Sequence, residues 1–182
     1  MKLFVSPEIC LTEMRRSDRD ALVAYLNDPE VQRMTLRIPA PYTLDDADVW
    51  LDAVEQAARV QGQPAHYAIR NAEDALLGAI GLGDMHVGRS GQAELGYWLA
   101  RPYWGRGLMT AALSSLCQVV YDRLELEKLV AHVFAENHAS ARVLEKCGFH
   151  ETARLPQHFR KEGRDIDARR FERPKAPPAT TT

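Results

Sequence analysis

The chain has 182 residues, 46% hydrophobic and 26% charged, with a formal net charge of −2. That length supports one sizeable core, and the near-neutral balance argues against a general nucleic-acid binder. No apolar run reaches the about 18–20 residues that cross a bilayer, and Met1-Lys-Leu-Phe-Val passes at once into Ser-Pro-Glu without a secretory leader, so a cytoplasmic protein without membrane or nucleic-acid partners is expected.

In chain order the pattern is mixed α/β. A first strand is expected near residues 9–15, then a helix capped by Ser17 and carrying Leu22, Val23 and Leu26. A loop runs from there to Tyr42. Thr43 and Asp46 have capping-box spacing, and Ala47, Trp50, Leu51 and Val54 mark the helix behind them. Residues 67–70 and 76–84 read as two strands around a turn at 71–74. Gly78, Gly81 and Gly83 lie in an apolar run with no helical pattern after it, which suits a strand or bulge. Residues 92–99, Gln-Ala-Glu-Leu-Gly-Tyr-Trp-Leu, alternate and are rich in β formers. Met109, Leu113, Leu116, Cys117 and Val120 then share one helical face. Residues 128–134 make a buried-strand candidate, followed by a helix with Asn137 at its N-cap, Ala141, Leu144 and Cys147 at helical spacing, and Gly148 just past its end. Final strands are expected near 152–155 and 165–172. Residues 175–182 are a Pro/Thr tail with nothing to bury, expected to be disordered, which leaves one folded domain over 1–174.

Gly105 and Gly107 fall where a strand ends and a helix begins. Glycine there admits positive φ and close backbone approach to a ligand. The amides of residues 105–109 have no partner inside the helix and sit at its positive end, so an anion is the natural occupant, with Arg106 as added charge. An ordinary tight turn is the alternative. A P-loop is absent, and the dinucleotide fingerprint fails because Thr110 holds the place of its third glycine. Asn137 and Ser140 share a face in the other helix, with Cβ atoms about 5–6 Å apart. Asn137 reads equally well as a plain cap, and Ser140 as a solvated hydroxyl.

Three segments carry a family resemblance: Glu94-Leu-Gly-Tyr97-Trp-Leu, Tyr103-Trp-Gly-Arg-Gly-Leu-Met-Thr110, and Asn137-x-x-Ser140-x-x-Val143-Leu-Glu-Lys-x-Gly148-Phe149. In this order they resemble the GNAT-superfamily N-acetyltransferases, and within them the RimJ/RimL-like ribosomal-protein N-terminal acetyltransferases. Leu11-Thr-Glu-Met-Arg, Leu26-Asn-Asp-Pro29, Pro41-Tyr-Thr, Trp50-Leu, and Asp165 with residues 169–171 extend the likeness over nearly the whole chain. The resemblance implies a single-domain α/β (α+β) GNAT fold: a mixed, mostly antiparallel sheet of about seven strands flanked by about four helices, splayed at the acetyl-CoA site.

It also implies acetyl-CoA as co-substrate, with the pyrophosphate on Trp104, Gly105, Arg106, Gly107, Leu108, Met109 and Thr110. The pantetheine would run along Trp98 and Leu99, with Asn137 bonding it. Two places depart from the wider superfamily pattern. In the phosphate loop, Trp104 stands where Gln or Arg is usual, as is familiar in the subgroup, and Met109 replaces a small residue, which is harmless to phosphate binding if its side chain faces the core. Leu144 stands where many members carry a general-acid tyrosine, so the resemblance shifts that role to Ser140, one turn earlier on the same face.

Acetyl transfer needs a neutral amine, a stabilised thioester oxygen and a place for the departing thiolate. A backbone amide near Leu99 is the candidate oxyanion donor. Glu94 is the candidate base, directly or through water; a structural salt bridge is the alternative. An α-amine, with reference pKa near 8, needs about 3 kcal/mol less help than a lysine-like amine near 10.4. The acceptor is expected to be a peptide N-terminus or a small molecule, facing residues 31–42 and 157–164, which carry Arg33, Arg37, His158, Arg160, Lys161 and Glu162. A non-catalytic acetyl-CoA-binding module is a further alternative. Cys10, Cys117 and Cys147 lack metal spacing and read as reduced core thiols. None of the six histidines is assigned to a metal, and no metal is expected. The protein is expected to be a monomer or homodimer.

Overall fold

One sheet carries helices on both of its faces, each set of helices burying an apolar side against it. The structure is a computed structural model and describes residues 2–83, 91–124 and 126–175. Among these, the strands are β1 (Lys2–Phe4), β2 (Cys10–Glu13), β3 (His66–Arg70), β4 (Leu76–Gly83), β5 (Gln92–Leu99), β6 (Lys128–Phe134), β7 (His150–Lys161) and β8 (Arg164–Pro174). The helices are α1 (Arg19–Leu26), α2 (Pro29–Arg33), α3 (Leu44–Gln61), α4 (Leu108–Arg123) and α5 (His138–Lys146). The sheet order is β1-β2-β3-β4-β5-β6-β8-β7, and every pair is antiparallel except β5 with β6. This is the expected mixed, mostly antiparallel α/β fold, with one strand and one α-helix more than expected.

The additions are short elements. β1 has three residues, too few to show alternation, and is fixed by pairing with β2. α2 breaks the stretch expected to be loop: Asp28 caps it, accepting from the Glu30 N–H at 2.9 Å, and Pro29 presets its first turn. Ser17 is not the cap of α1. The chain enters through a 3-10 turn at Arg16–Asp18, and Asp18 Oδ2 accepts from the Arg15 N–H at 2.7 Å. The Thr43–Asp46 capping box forms as expected, with bonds of 3.2 and 2.8 Å. The last two strands run well beyond the expected bounds and meet at a hairpin, so residues 157–161 are strand, not loop.

At the C-terminal end, Lys175 is held in place. Its N–H donates to Glu127 O at 2.7 Å and its ammonium to Tyr121 O at 3.0 Å. Asp84 and residues 176–182 of the expected tail lie outside the described residues.

One core packs Leu113, Leu116 and Cys117 of α4 and Leu144 of α5 against Leu95, Leu129 and Phe171. A second packs Leu22, Leu26, Val31 and Leu51 against Ala68 and Leu76 on the opposite face. No helix among the described residues is long and apolar enough to cross a membrane. The sheet is interrupted in one place. β5 and β6 pair only at Gln92↔Lys128, Ala93↔Leu129 and Glu94↔Val130, and then separate. This is the expected splay.

Candidate active site

The gap between β5 and β6 opens a cavity of about 660 Å³. Its β5 wall offers unpaired backbone. Ala100 N–H donates to Leu77 O at 2.8 Å on the β4 side. Antiparallel alternation therefore turns the N–H of Leu99 and the peptide groups of Tyr97 the other way, toward the gap. Trp104 fixes this edge, its indole N–H donating to Leu99 O at 2.6 Å. The Leu99 N–H thus faces the gap, while the Leu99 carbonyl is already bonded.

At the end of β5 the chain turns into α4 through two left-handed glycines, Gly105 at φ 74° and Gly107 at φ 75°. Gly107 is the N-cap, and the first helical bond is Ala111 N–H to Gly107 O at 3.0 Å. The N–H groups of Leu108, Met109 and Thr110 therefore have no helical acceptor. Leu108 and Met109 bury their side chains in the core, which leaves their amides at the cavity. Arg106 departs from expectation. Its guanidinium bonds Glu8 at 2.9 Å, and it does not line the cavity. Glu8, in the β1–β2 connection, claims its charge.

Across the gap, the Asn137 Oδ1 accepts from the Ser140 N–H at 3.1 Å, so Asn137 is a true helix cap. The same bond leaves its Nδ2 for a ligand. Ser140 Oγ lies 2.7 Å from the Tyr97 hydroxyl, and Tyr97 can also donate to Ser140 O at 3.2 Å. Burial pushes the Tyr97 phenol up, with the Ser140 bond acting in the opposite direction, so Tyr97 stays protonated. Tyr97 reads as an ordinary core position in the alternation of β5, and only the fold places its hydroxyl under Ser140.

Glu94 sits where β5 and β6 part. Its Oε1 lies 3.1 Å from His132 Nδ1. That bond, first among the causes and opposed by burial, holds the Glu94 carboxyl below the usual carboxylate range. His132 stacks on His158, with ring centroids 5.3 Å apart, and meets the edge of Phe159 at 6.3 Å. The floor beside Glu94 is bare backbone: a Cβ at Gly96 would meet nothing within 4 Å. Trp50, Ile38 and Phe159 supply apolar walls. Lys161, expected among the acceptor-facing charges, instead bonds Gln32 O and Thr35 O and joins the β7–β8 hairpin to the segment after α2.

Thus Glu94, Trp98, Leu99, Trp104, Gly105, Gly107, Leu108, Met109, Thr110, Asn137 and Ser140 all line one cavity, and Arg106 does not. Cys10, Cys117 and Cys147 are buried free thiols. No group of three or more His, Cys, Asp or Glu among the described residues is placed to hold a metal ion.

Solved structures share this architecture. A RimL ribosomal L7/L12 α-N-protein acetyltransferase in complex with coenzyme A superposes with a TM-score of 0.86 at 19% identity, over 96% of this chain and 98% of that one. A Vibrio cholerae spermidine N-acetyltransferase with CoA and spermine gives 0.76 at 21% identity, over 93% and 96%. In sequence the chain is similar to the uncharacterized N-acetyltransferase p20 of Bacillus licheniformis, 29% identical over 174 residues that cover 94% of this chain and 95% of p20. Residues 8–150 match the acetyltransferase (GNAT) domain. The chain therefore belongs to the GNAT family and is an N-acetyltransferase that takes its acetyl group from acetyl-CoA.

Proposed function

We propose that the acceptor is the α-amine of a peptide or protein N-terminus. The observation that carries this reading is the pairing of acids around the cavity. Among the described residues two carboxylates line it, Glu30 and Glu94, and both are already engaged, Glu30 with Arg33 at 2.9 Å and Glu94 with His132 at 3.1 Å. A polyamine carries several ammonium groups and needs unpaired carboxylates along its length. A single amine on an otherwise uncharged backbone needs none. The bare floor at Gly96 and the apolar side chains above it suit an extended peptide end. An α-amine also has the lower pKa of the two amine classes, near 8 against about 10.4, and loses its proton more readily. In this reading the pyrophosphate lies on the amides of residues 108–110, the Leu99 N–H receives the oxyanion and Asn137 bonds the pantetheine. Ser140 bonds the departing sulfur, and Glu94 belongs to the proton-accepting group. The similarity to RimL supports a protein N-terminus, and the likeness to the spermidine enzyme makes polyamines the competing class.

The test is mass spectrometry of acetyl transfer to three acceptors: a peptide with a free N-terminus, the same peptide blocked at its N-terminus and carrying lysine, and spermidine. Acetylation of the first above the others is expected. Transfer to spermidine with none to the free N-terminus would reverse the assignment.

Cofactor binding is tested separately. Acetyl-CoA should raise the melting temperature by mass action, and Gly107→Val should remove most of that shift. No neighbouring atom obstructs a Cβ at Gly107; its φ of 75° is what a β-branched residue resists, and the new side chain would also crowd the approaching phosphate. An undiminished shift in Gly107→Val would take the phosphate away from this turn.

A further inference from the structure

We propose that His132, and not Glu94, accepts the proton of the incoming amine, with Glu94 fixing the imidazole's tautomer. The inference rests on the acetyl-transfer reading above and adds a catalytic residue to it.

Placement comes first. Glu94 pairs with Val130 in the parallel β5–β6 register, so Glu94, Val130 and His132 project from one face of the sheet. His132 lies two residues farther along the strand, about 6–7 Å toward the open end of the gap at 3.3 Å per residue. β5 runs toward that end to reach Leu99, and Leu99 and Ser140 both line the cavity. Glu94 sits at the closed apex.

Tautomer comes second. The Glu94 carboxyl is held ionised by its bond to His132, and an ionised carboxylate only accepts. His132 Nδ1 must then carry the hydrogen that spans the 3.1 Å to Glu94 Oε1. In the neutral ring that tautomer leaves a lone pair on Nε2, the atom that can accept a proton. Among the described residues Nε2 has no hydrogen-bond partner. Stacking on His158 and the edge of Phe159 hold the ring in place. Glu94 as a direct base has one oxygen committed and a depressed pKa, far from that of an amine.

The charges around the ring come from four elements. Glu94 on β5 is anionic, while His158 on β7 and Arg37 after α2 lie close enough to Glu94 to lower its pKa. Arg170, opposite His132 in β8, is bonded to Glu172 at 2.7 Å. Glu94 is therefore the group that offsets an imidazolium at His132.

The step balances. The amine lone pair attacks the thioester carbonyl carbon and forms the N–C bond, and the oxyanion forms at the Leu99 N–H. The amine proton passes to His132 Nε2. The C–S electron pair leaves with sulfur as the tetrahedral adduct collapses to the amide, and the proton on His132 returns to solvent.

His132→Asn is the test, because the asparagine amide still donates to Glu94 but accepts no proton. On the free-N-terminus peptide, kcat/KM is expected to fall by about 10²-fold or more at neutral pH, with the thermal shift from acetyl-CoA unchanged. The loss should shrink as pH rises and the amine deprotonates unaided. Added imidazole should restore rate to His132→Ala, a response that a merely structural histidine does not give. Glu94→Gln should lose less than His132→Asn. Wild-type kcat/KM in His132→Asn, or a larger loss in Glu94→Gln with no imidazole rescue of His132→Ala, overturns the assignment and returns the base to Glu94. A wild-type protein that binds acetyl-CoA but acetylates no amine overturns the function reading and this inference with it. Wild-type turnover with an unaffected His132→Asn overturns this inference alone.

Discussion

Asp18→Ala is expected to cost about 3–5 kcal/mol of folding stability, the usual penalty for leaving a buried charge without its partner. Arg70, at the end of β3, is 2% exposed. Its guanidinium meets Asp18 in a two-pronged pair at 2.8 and 2.7 Å, and its Nε donates to Thr12 Oγ1 at 2.7 Å. The pair ties the entry of α1 to β2 and β3. Without Asp18 the buried arginine keeps only the more distant, exposed Asp74 carboxylate, 3.8 Å from its Nε. At about 2–4 °C per kcal/mol for a chain of this size, the melting temperature should fall by roughly 6–20 °C. Adding Arg70→Met should return much of the loss, because an apolar side chain of similar volume carries no desolvation cost. Denaturant unfolding of the three proteins checks this. A change below about 1 kcal/mol in Asp18→Ala would show that water reaches the arginine. The pair lies outside the cavity lining, so the folded fraction of Asp18→Ala should keep its acetyl-CoA response.

This network also marks what the sequence conceals. Ser17 and Asp18 are equally good capping side chains by type, yet Asp18 takes the Arg15 N–H, and its carboxylate also meets Arg70, far away in sequence. Arg106 next to the glycine turn reads as added charge for an anion, and the fold also brings Glu8 to it. The Glu94–His132 bond joins two strands through a register that no local pattern encodes. Legible features are those with local physics. The alternation of β5, the two glycines at the head of α4, the Thr43 capping box and the Asn137 cap all concern residues within one turn or one strand of each other. β1 and α2 were hidden by shortness, since three or five residues display neither period. Tyr97 was hidden differently. Its place in the alternation is that of a core residue, and it does pack against the core, but its hydroxyl reaches past that core to α5.

The Tyr97–Ser140 contact leads to a large expected effect on turnover. Ser140→Ala should lower kcat by about 10²-fold or more while acetyl-CoA affinity stays near wild type, because the lost interaction forms mainly as the thiolate departs. Tyr97→Phe keeps the ring's packing and removes one hydroxyl. Tyr97 remains protonated, since burial disfavours the phenolate, so it can donate to Ser140 Oγ across 2.7 Å and leave the serine hydrogen for sulfur. A hydrogen bond between neutral groups is worth about 0.5–1.5 kcal/mol, so Tyr97→Phe alone should lower kcat by roughly two- to ten-fold. The double variant decides whether the two hydroxyls act as one unit. With Ser140 gone, Tyr97 has no relay to the sulfur, and the double variant should be no slower than Ser140→Ala. Losses that multiply would mean that each hydroxyl acts alone. Tyr97→Phe should also keep both limbs of the wild-type pH–rate profile, since a phenol that never ionises in the working range contributes neither. Wild-type kcat in a folded Ser140→Ala protein would reduce Ser140 to a helix-start hydroxyl and Tyr97 to its structural partner.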